Sequence, residues 1–189
     1  MIKMRTRSIR IPKIGDKFCI ALETDVLTSE GWVQLKDIKI THKVASLVND
    51  EKLEYVNPID IYKFGYSGLM YKVRSEEVEL DVTMDHELYV KMDTLNKFEL
   101  VQAKDVIGKN VLYKTCNLDS GTSFEISLNN KVEETYDYNG EVGCLEVPSH
   151  VFMIRQNNKN VWIGNCSRHG HPKIPITGGC GIARFLFQY

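Results

Sequence analysis

The 189-residue sequence lacks several features that define common classes of protein. No stretch approaches the roughly 18–20 consecutive apolar residues of a membrane-spanning helix, so we expect no membrane association. The basic N-terminus has no apolar core of the kind that signal peptides contain. The five cysteines are an odd number and include no CxxC pair, which argues against a zinc knuckle or a secreted disulfide framework. Reduced thiols in an intracellular setting fit this pattern better.

Acidic side chains are nearly missing from the two ends of the chain. Residues 1–18 contain six Lys or Arg and one acid, and residues 166–189 contain three Lys or Arg and no acid. The 147 residues between them carry 15 basic and 24 acidic side chains, a net charge of −9. The division predicts an N-terminal flank at 1–18, one ordinary domain at 19–165 and a C-terminal flank at 166–189. Basic flanks suit a host that handles nucleic acid, whereas the acidic middle repels phosphate.

Short β-strands separated by turn signals dominate the middle segment. The pattern predicts hairpin turns at 29–31 and 157–159, and half-buried strands around 69–73 and 78–82. Residues 100–107, followed by Gly108, fit one or two helical turns with a glycine stop. Residues 116–140 show the least patterning, and within them residues 117–123 and 129–131 are expected to form exposed loops. The sequence therefore predicts an all-β domain.

Cys19 lies at the first change of charge and has the chemistry of a nucleophile. Its thiol can attack the carbonyl carbon of Phe18 and convert the Phe18–Cys19 amide into a thioester. Amide resonance resists that attack, and a free thiol with a pKa of about 8.5 is mostly protonated at neutral pH. The site must therefore assist. Considered alone, Cys19 is better explained as a buried packing residue than as a nucleophile.

The segment Thr83-Met84-Asp85-His86 offers the missing assistance. An imidazole can donate a proton to the departing amide nitrogen. A threonine hydroxyl can hold the same amide or its oxyanion. The i, i+3 spacing after a predicted strand can bring both side chains to one place.

The pair Asn165-Cys166 lies at the second change of charge. The asparagine amide can attack its own backbone carbonyl, which cuts the Asn165–Cys166 bond and leaves a succinimide. Cys166 can take the acyl group from Cys19 by thiol–thioester exchange. Its amine, once released, can capture that acyl group as an ordinary amide. Together these residues supply two cleavages and one ligation.

In order along the chain, these segments resemble the characteristic blocks of inteins. Cys19–Thr28 looks like the first block, Thr83–His86 matches the TxxH block, Val142–Phe152 is similar to the block before the C-terminal junction, and Asn165-Cys166 matches the end. The resemblance implies a Hint fold, which is a compact, pseudo-symmetric, all-β horseshoe with both junctions near its centre. It also implies self-processing, single-turnover protein splicing by a monomer, with no cofactor, metal or partner.

The same resemblance implies a role for each residue. Cys19 is the first nucleophile, Thr83 and His86 assist the N-terminal acyl shift, Cys166 is the second nucleophile, and Asn165 cyclises. Only 55 residues separate His86 from Val142, and they contain no LAGLIDADG-like stretch. That length is too short for the Hint strands and a homing endonuclease, so a mini-intein is expected.

Two positions depart from the usual intein pattern. Gly164 stands where a histidine often assists asparagine cyclisation, and we hypothesise that His150 takes this role; the alternative is that His150 only holds structure at a strand end. Cys144 stands where the family often has aspartate. It is either a stand-in for that aspartate near the acyl transfer or a small buried residue.

The flanks resemble a different protein. Arg7–Phe18 joined to Cys166–Gly170 is similar to the second-largest, β-like subunit of RNA polymerases, although the chain departs from that pattern after Gly170. The resemblance implies a host in a DNA-dependent RNA polymerase complex, in the cytoplasm or nucleus. Two alternatives stay open: a hedgehog-type Hint autoprocessing domain, and a non-catalytic nucleic-acid-binding fragment of a polymerase subunit.

Overall fold

The computed structural model describes residues 19–93 and 96–165. Phe18, Cys166 and the two predicted flanks therefore lie outside the described residues. Within the described residues the chain forms 14 β-strands, a 3₁₀ turn at Leu35–Asp37 and one helical turn, α1, at Ala103–Val106. No helix in this part of the chain is long or apolar enough to cross a membrane.

The strands are numbered in chain order. The first seven are β1 (Ile20–Ala21), β2 (Asp25–Thr28), β3 (Gly31–Gln34), β4 (Val44–Val48), β5 (Lys52–Val56), β6 (Asp60–Arg74) and β7 (Glu79–Thr83). The other seven are β8 (Glu87–Met92), β9 (Glu99–Gln102), β10 (Val111–Asn117), β11 (Thr122–Ser127), β12 (Val132–Glu146), β13 (Val151–Gln156) and β14 (Lys159–Gly164).

Two sheets share the strands. Strands β1, β12, β6 and β7 close into a small barrel, and the others form a sheet in the order β10-β11-β5-β4-β2-β13-β14-β8-β9, with β3 added beside β2. The largest core cluster draws on both sheets, for example Val82 and Leu145 from the barrel and Phe152 and Ile163 from the larger sheet. Burying each such side chain contributes about 1.5–3 kcal/mol. The shared core fixes the barrel, which carries Cys19, against the sheet that leads to Asn165.

The antiparallel pair β6–β12 carries one short motif on both strands. The sequence Tyr-x-Gly occurs at Tyr66–Gly68 and at Tyr138–Gly140, and the register places Tyr66 opposite Gly140 and Tyr138 opposite Gly68. A Cβ on either glycine would lie 2.7 Å from the hydroxyl of the tyrosine two residues before it. Glycine therefore lets each ring lie along its own strand. The two copies face each other across an approximate twofold axis, in agreement with the expected pseudo-symmetry.

The hairpin predictions are confirmed. Strands β2 and β3 flank the turn at 29–31, and Gly31 has φ +108°. Strands β13 and β14 meet at Asn157 and Asn158, whose φ values of 45° and 62° fit a type I′ hairpin turn. The strands predicted around 69–73 and 78–82 correspond to the end of β6 and to β7.

Two other predictions are confirmed only in part. The proposed helix at 100–107 is shorter, because residues 99–102 pair with β8 as β9 and only α1 is helical; Gly108 follows with φ +74°. The predicted loops at 117–123 and 129–131 contain the connections β10–β11 and β11–β12, but residues 117, 122 and 123 belong to strands β10 and β11. Strands β11 and β12 expose much of their surface, for example at Phe124 and Val132.

Candidate active site

The first junction residue is fixed by two hydrogen bonds to one threonine. The backbone N–H of Cys19 donates to Thr83 Oγ1 at 2.9 Å, and the backbone N–H of Thr83 donates to the Cys19 carbonyl at 2.9 Å. Both residues are buried. The nitrogen of the Phe18–Cys19 amide is therefore held by the side chain that the TxxH pattern predicted for this purpose.

His86 lies on a tight turn that follows β7. Its N–H donates to the Thr83 carbonyl at 3.0 Å, so the i, i+3 spacing closes a turn and not a helix. The start of α1 secures this turn, because the N–H groups of Ala103 and Lys104 donate to the carbonyls of His86 and Met84 at 2.8 and 2.9 Å. The imidazole is only 1% exposed. The long-range contact with α1 fixes where the histidine lies.

A small apolar cluster surrounds the Cys19 side chain. Its buried members are Cys19, Val142 and Cys144, and the aromatic rings packed against them are Tyr62, Phe64, Tyr66 and Tyr138. Cys144 is 1% exposed, and its thiol donates to the Leu145 carbonyl at 3.5 Å. Burial raises the pKa of the Tyr66 hydroxyl, and the negative charges of Asp85 and Cys19 raise it further. The Tyr66 phenol is therefore a neutral neighbour of the thiol.

The second junction residue is also held by backbone and side-chain contacts. The carboxamide of Asn165 forms a pair of hydrogen bonds with Val147: Oδ1 accepts from the Val147 N–H at 3.1 Å, and Nδ2 donates to the Val147 carbonyl at 2.8 Å. These two bonds fix which atom of the carboxamide is nitrogen. That nitrogen also lies 3.3 Å from Nδ1 of His150. Asn165 itself is 2% exposed.

His150 lies on a turn built like that of His86. Its N–H donates to the Val147 carbonyl three residues back at 3.1 Å, and its own carbonyl accepts from the Asn165 N–H at 2.8 Å. The backbone of His150 has φ +65°, a left-handed conformation that is uncommon outside glycine. Each half of the pseudo-symmetric domain thus ends a strand in a turn whose fourth residue is histidine. One turn holds Cys19 and the other holds Asn165.

Gly164 has a steric reason to be glycine. A Cβ at this position would lie 2.7 Å from the backbone oxygen of Glu87 and 2.7 Å from a methyl carbon of Leu100. Strand β14 therefore approaches β8 too closely for any side chain at position 164. The usual penultimate histidine does not fit this packing, whereas the imidazole of His150, which precedes the partner strand β13 of the same hairpin, reaches Asn165.

Sequence reasoning missed the residues that support the second junction. Val147 acts through its backbone, which no side-chain pattern reports. The Ser46 hydroxyl on β4 lies 2.6 Å from the hydroxyl of Ser149, which donates to the Val151 carbonyl at 3.0 Å and fixes the turn before His150. The sequence did contain one signal for the second turn. The Tyr-x-Gly motif occurs twice, and after each copy the chain has a histidine that directly precedes a strand, His86 after the first and His150 after the second.

The domain is similar to several solved inteins. A splice-inactive variant of the AceL NrdHF class 3 split intein matches 80% of this chain and 100% of its own with a TM-score of 0.71 at 16% identity. The KlbA intein precursor of Methanococcus jannaschii matches 82% of this chain and 95% of its own with a TM-score of 0.63 at 17% identity. The domain has the intein fold. At these identities the likeness establishes the fold, and it confirms the all-β Hint architecture expected from the sequence.

Two curated proteins are related to this intein-fold chain in sequence. The ATP-dependent Clp protease proteolytic subunit of Chlamydomonas moewusii is 35% identical over 114 residues, which is 58% of this chain and 11% of that protein. The C-terminal section of the DNA-directed RNA polymerase subunit beta of Stigeoclonium helveticum is 33% identical over 101 residues, 50% of this chain and 9% of that protein. The chain thus spans about a tenth of the length of these relatives. No protein-family model matches it.

Proposed function

We propose that this chain is a self-splicing mini-intein with its two flanks, and that residues 19–165 excise themselves and ligate 1–18 to 166–189. The observation that carries the proposal is the matched environment of the two junction residues. Cys19 and Asn165 are both buried, and each is held by a turn that ends in a histidine. The intein fold supports the proposal, because it accounts for both turns.

In the first step the thiol of Cys19 attacks the carbonyl carbon of Phe18. The Thr83 hydroxyl accepts the hydrogen bond of the departing nitrogen, which keeps the scissile bond in one orientation. We assign His86, buried at the end of the same turn, as the group that protonates this nitrogen when the amide bond breaks. The product is a thioester between Phe18 and Cys19.

In the step at the second junction the Asn165 amide attacks its own carbonyl carbon. With its proton on Nε2, His150 accepts a hydrogen bond from Asn165 Nδ2 and takes the proton that the nitrogen loses. The N–H of Val147 meanwhile stabilises negative charge on Oδ1. The geometry thus favours the catalytic interpretation of His150 over the purely structural one. Cys166, which lies outside the described residues, remains our proposed second nucleophile.

We infer that the two junctions lie near each other. Cys144 belongs to the cluster around Cys19, and Val147 binds the Asn165 side chain. Only two residues lie between Cys144 and Val147, so their Cα atoms are at most about 10 Å apart. An acyl group on Cys19 therefore has a short path to a nucleophile that directly follows Asn165.

The curated relatives support an insertion element. Their alignments of 114 and 101 residues are longer than the 18-residue and 24-residue flanks combined, so at least half of each lies within residues 19–165. The two relatives are named for different host proteins, a protease subunit and a polymerase subunit. When two unrelated host proteins share one segment of sequence, insertion of the same kind of element into both explains the similarity. On the flank sequences we propose an RNA polymerase subunit as the host here, which places the reaction inside the cell.

Two observations weigh against the alternative functions. A hedgehog-type domain has no second flank to join and no need of a terminal asparagine, whereas the carboxamide of Asn165 makes three polar contacts. A nucleic-acid-binding module needs a basic surface, whereas the described domain lies within a segment of net charge −9.

The test is mass spectrometry of the expressed 189-residue chain. Splicing produces an excised piece of 147 residues and a ligated product of 42 residues that joins Phe18 to Cys166. The matched control is a chain with Cys19→Ala and Asn165→Ala, which should stay intact. An unchanged parent chain that also fails to release residues 1–18 with hydroxylamine, a nucleophile that cleaves thioesters, overturns the proposal.

A further inference from the structure

Cys19 and Cys144 occupy facing positions on neighbouring strands. The β1–β12 pairing aligns Ile20 with Gly143 and Ala21 with Val142. Continuing this antiparallel register by one residue places Cys19 directly opposite Cys144. Directly opposed residues project from the same face of a sheet, in agreement with the presence of both thiols in one buried cluster.

The hydrogen bonds of Cys19 define the type of this pair. Its backbone N–H and carbonyl both bond to Thr83 on β7, so they point away from β12. Cys19 and Cys144 are therefore a non-hydrogen-bonded pair, in which the Cα atoms lie about 4.5 Å apart and the side chains approach each other closely. A disulfide requires a Cα separation of about 4.4–6.8 Å. The strand pairing thus provides the geometry for a bond between the two sulfur atoms.

We propose that Cys19 and Cys144 form a reversible cross-strand disulfide under two-electron oxidation by a peroxide. One thiol reduces the peroxide, gains an oxygen atom as sulfenic acid and releases water. The other thiol then attacks that sulfur, the S–S bond forms and a second water leaves. Two thiols lose two electrons and two protons in total, and the peroxide O–O bond is reduced. Dithiols reverse the step by thiol–disulfide exchange.

The consequence of the disulfide rests on the proposed function. Cys19 in a disulfide has no thiol with which to attack Phe18, so oxidation stops splicing at its first step. Cys144 has a second effect, because rapid disulfide formation prevents oxidation of Cys19 to the irreversible sulfinic acid. The position where inteins often carry aspartate would thereby make the inhibition reversible.

Tryptic mapping identifies the bond directly, because each of the five cysteines falls in a different tryptic peptide. The peptides that contain Cys19 and Cys144 are 18–36 and 132–155, and those of Cys116 and Cys166 are 115–131 and 160–168. The full chain carrying Asn165→Ala, which blocks excision, is treated with hydrogen peroxide, alkylated and digested without reductant. We expect 18–36 linked to 132–155 as the main cross-linked species, lost on reduction. Cys19 linked to Cys166, or oxidised without any cross-link, overturns the proposal.

A second measurement tests the consequence separately. Hydroxylamine releases residues 1–18 from a thioester without reducing disulfides, and we expect peroxide to abolish this release and dithiothreitol to restore it. In a Cys144→Ala chain the loss should persist after reduction. The matched control is Cys116→Ala, which removes another buried thiol from a different cluster and should behave like the parent. If hydroxylamine releases nothing before oxidation, the proposed function is wrong. The tryptic map still tests the disulfide independently of that outcome.

Discussion

Replacing Thr83 with valine tests the hydrogen bond at the first junction. Valine keeps the shape of threonine but removes Oγ1, so the Cys19 N–H loses its acceptor in a buried site. Leaving such a donor unsatisfied costs about 1–3 kcal/mol. In the Thr83→Val chain, the segment around Cys19 avoids this cost by leaving the conformation in which the Phe18–Cys19 amide is aligned for attack. At about 1.4 kcal/mol for each tenfold change in population, the aligned fraction and the rate of thioester formation fall roughly fivefold to a hundredfold.

The assay isolates the first step from the others. Chains with Asn165→Ala and Cys166→Ala can form only the first thioester, and hydroxylamine-induced release of residues 1–18 then measures its rate. The matched control is Thr115→Val. Thr115 is also buried, and its hydroxyl donates to the Asn160 carbonyl at 2.6 Å, outside both junctions. This control also loses the hydrogen bond that Thr115 Oγ1 accepts from Asn160 Nδ2 at 3.0 Å, so it removes two hydrogen bonds away from the junctions and should keep the parent rate.

Two outcomes would refute the reasoning about Thr83. If the Thr83→Val chain releases residues 1–18 at the parent rate, the bond to Cys19 does not align the scissile amide. If Thr83→Val and Thr115→Val slow the release equally, the effect reports a general loss of stability. Urea unfolding of all three chains separates the two cases.

Three further outcomes follow from the structure. His150→Ala removes the acceptor 3.3 Å from Asn165 Nδ2, so cleavage after Asn165 should slow at least tenfold while hydroxylamine still releases residues 1–18; cleavage at the parent rate contradicts our assignment. Gly164→Ala places a Cβ against the backbone of Glu87, and urea unfolding should show a loss of stability of about 1–3 kcal/mol. For the same steric reason, Gly164→His should fail to restore cleavage after Asn165 in a His150→Ala chain. Burial raises the pKa of the Asp81 carboxyl, so its contribution to stability is fully present below the unfolded pKa of about 3.9 and is lost as pH rises through the raised folded pKa. Asp81→Asn should therefore gain stability relative to the parent as pH rises above about 4, and a stability difference that stays constant with pH would contradict this.

The hairpins were predictable because their signals are local. Gly31 and the pair Asn157–Asn158 occupy backbone conformations with positive φ, which few residues other than glycine and asparagine adopt easily. The strands β11 and β12 were not predictable in the same way. They form much of a partly exposed ribbon, and their many polar residues are as typical of a loop as of a strand.

The sequence alone was enough to propose the chemistry at each junction. Cys19, Thr83, His86 and Asn165 are our candidates because a thiol, an imidazole and a carboxamide each restrict the reactions available, and because their order resembles that of inteins. Only the tertiary structure shows which side chain contacts the Asn165 carboxamide. The reason that position 164 is glycine lies on β8, and the imidazole that contacts the carboxamide comes from a turn 15 residues earlier. Steric exclusion and hydrogen bonding between distant segments arise only once the strands have paired, so the junction sequence does not contain them.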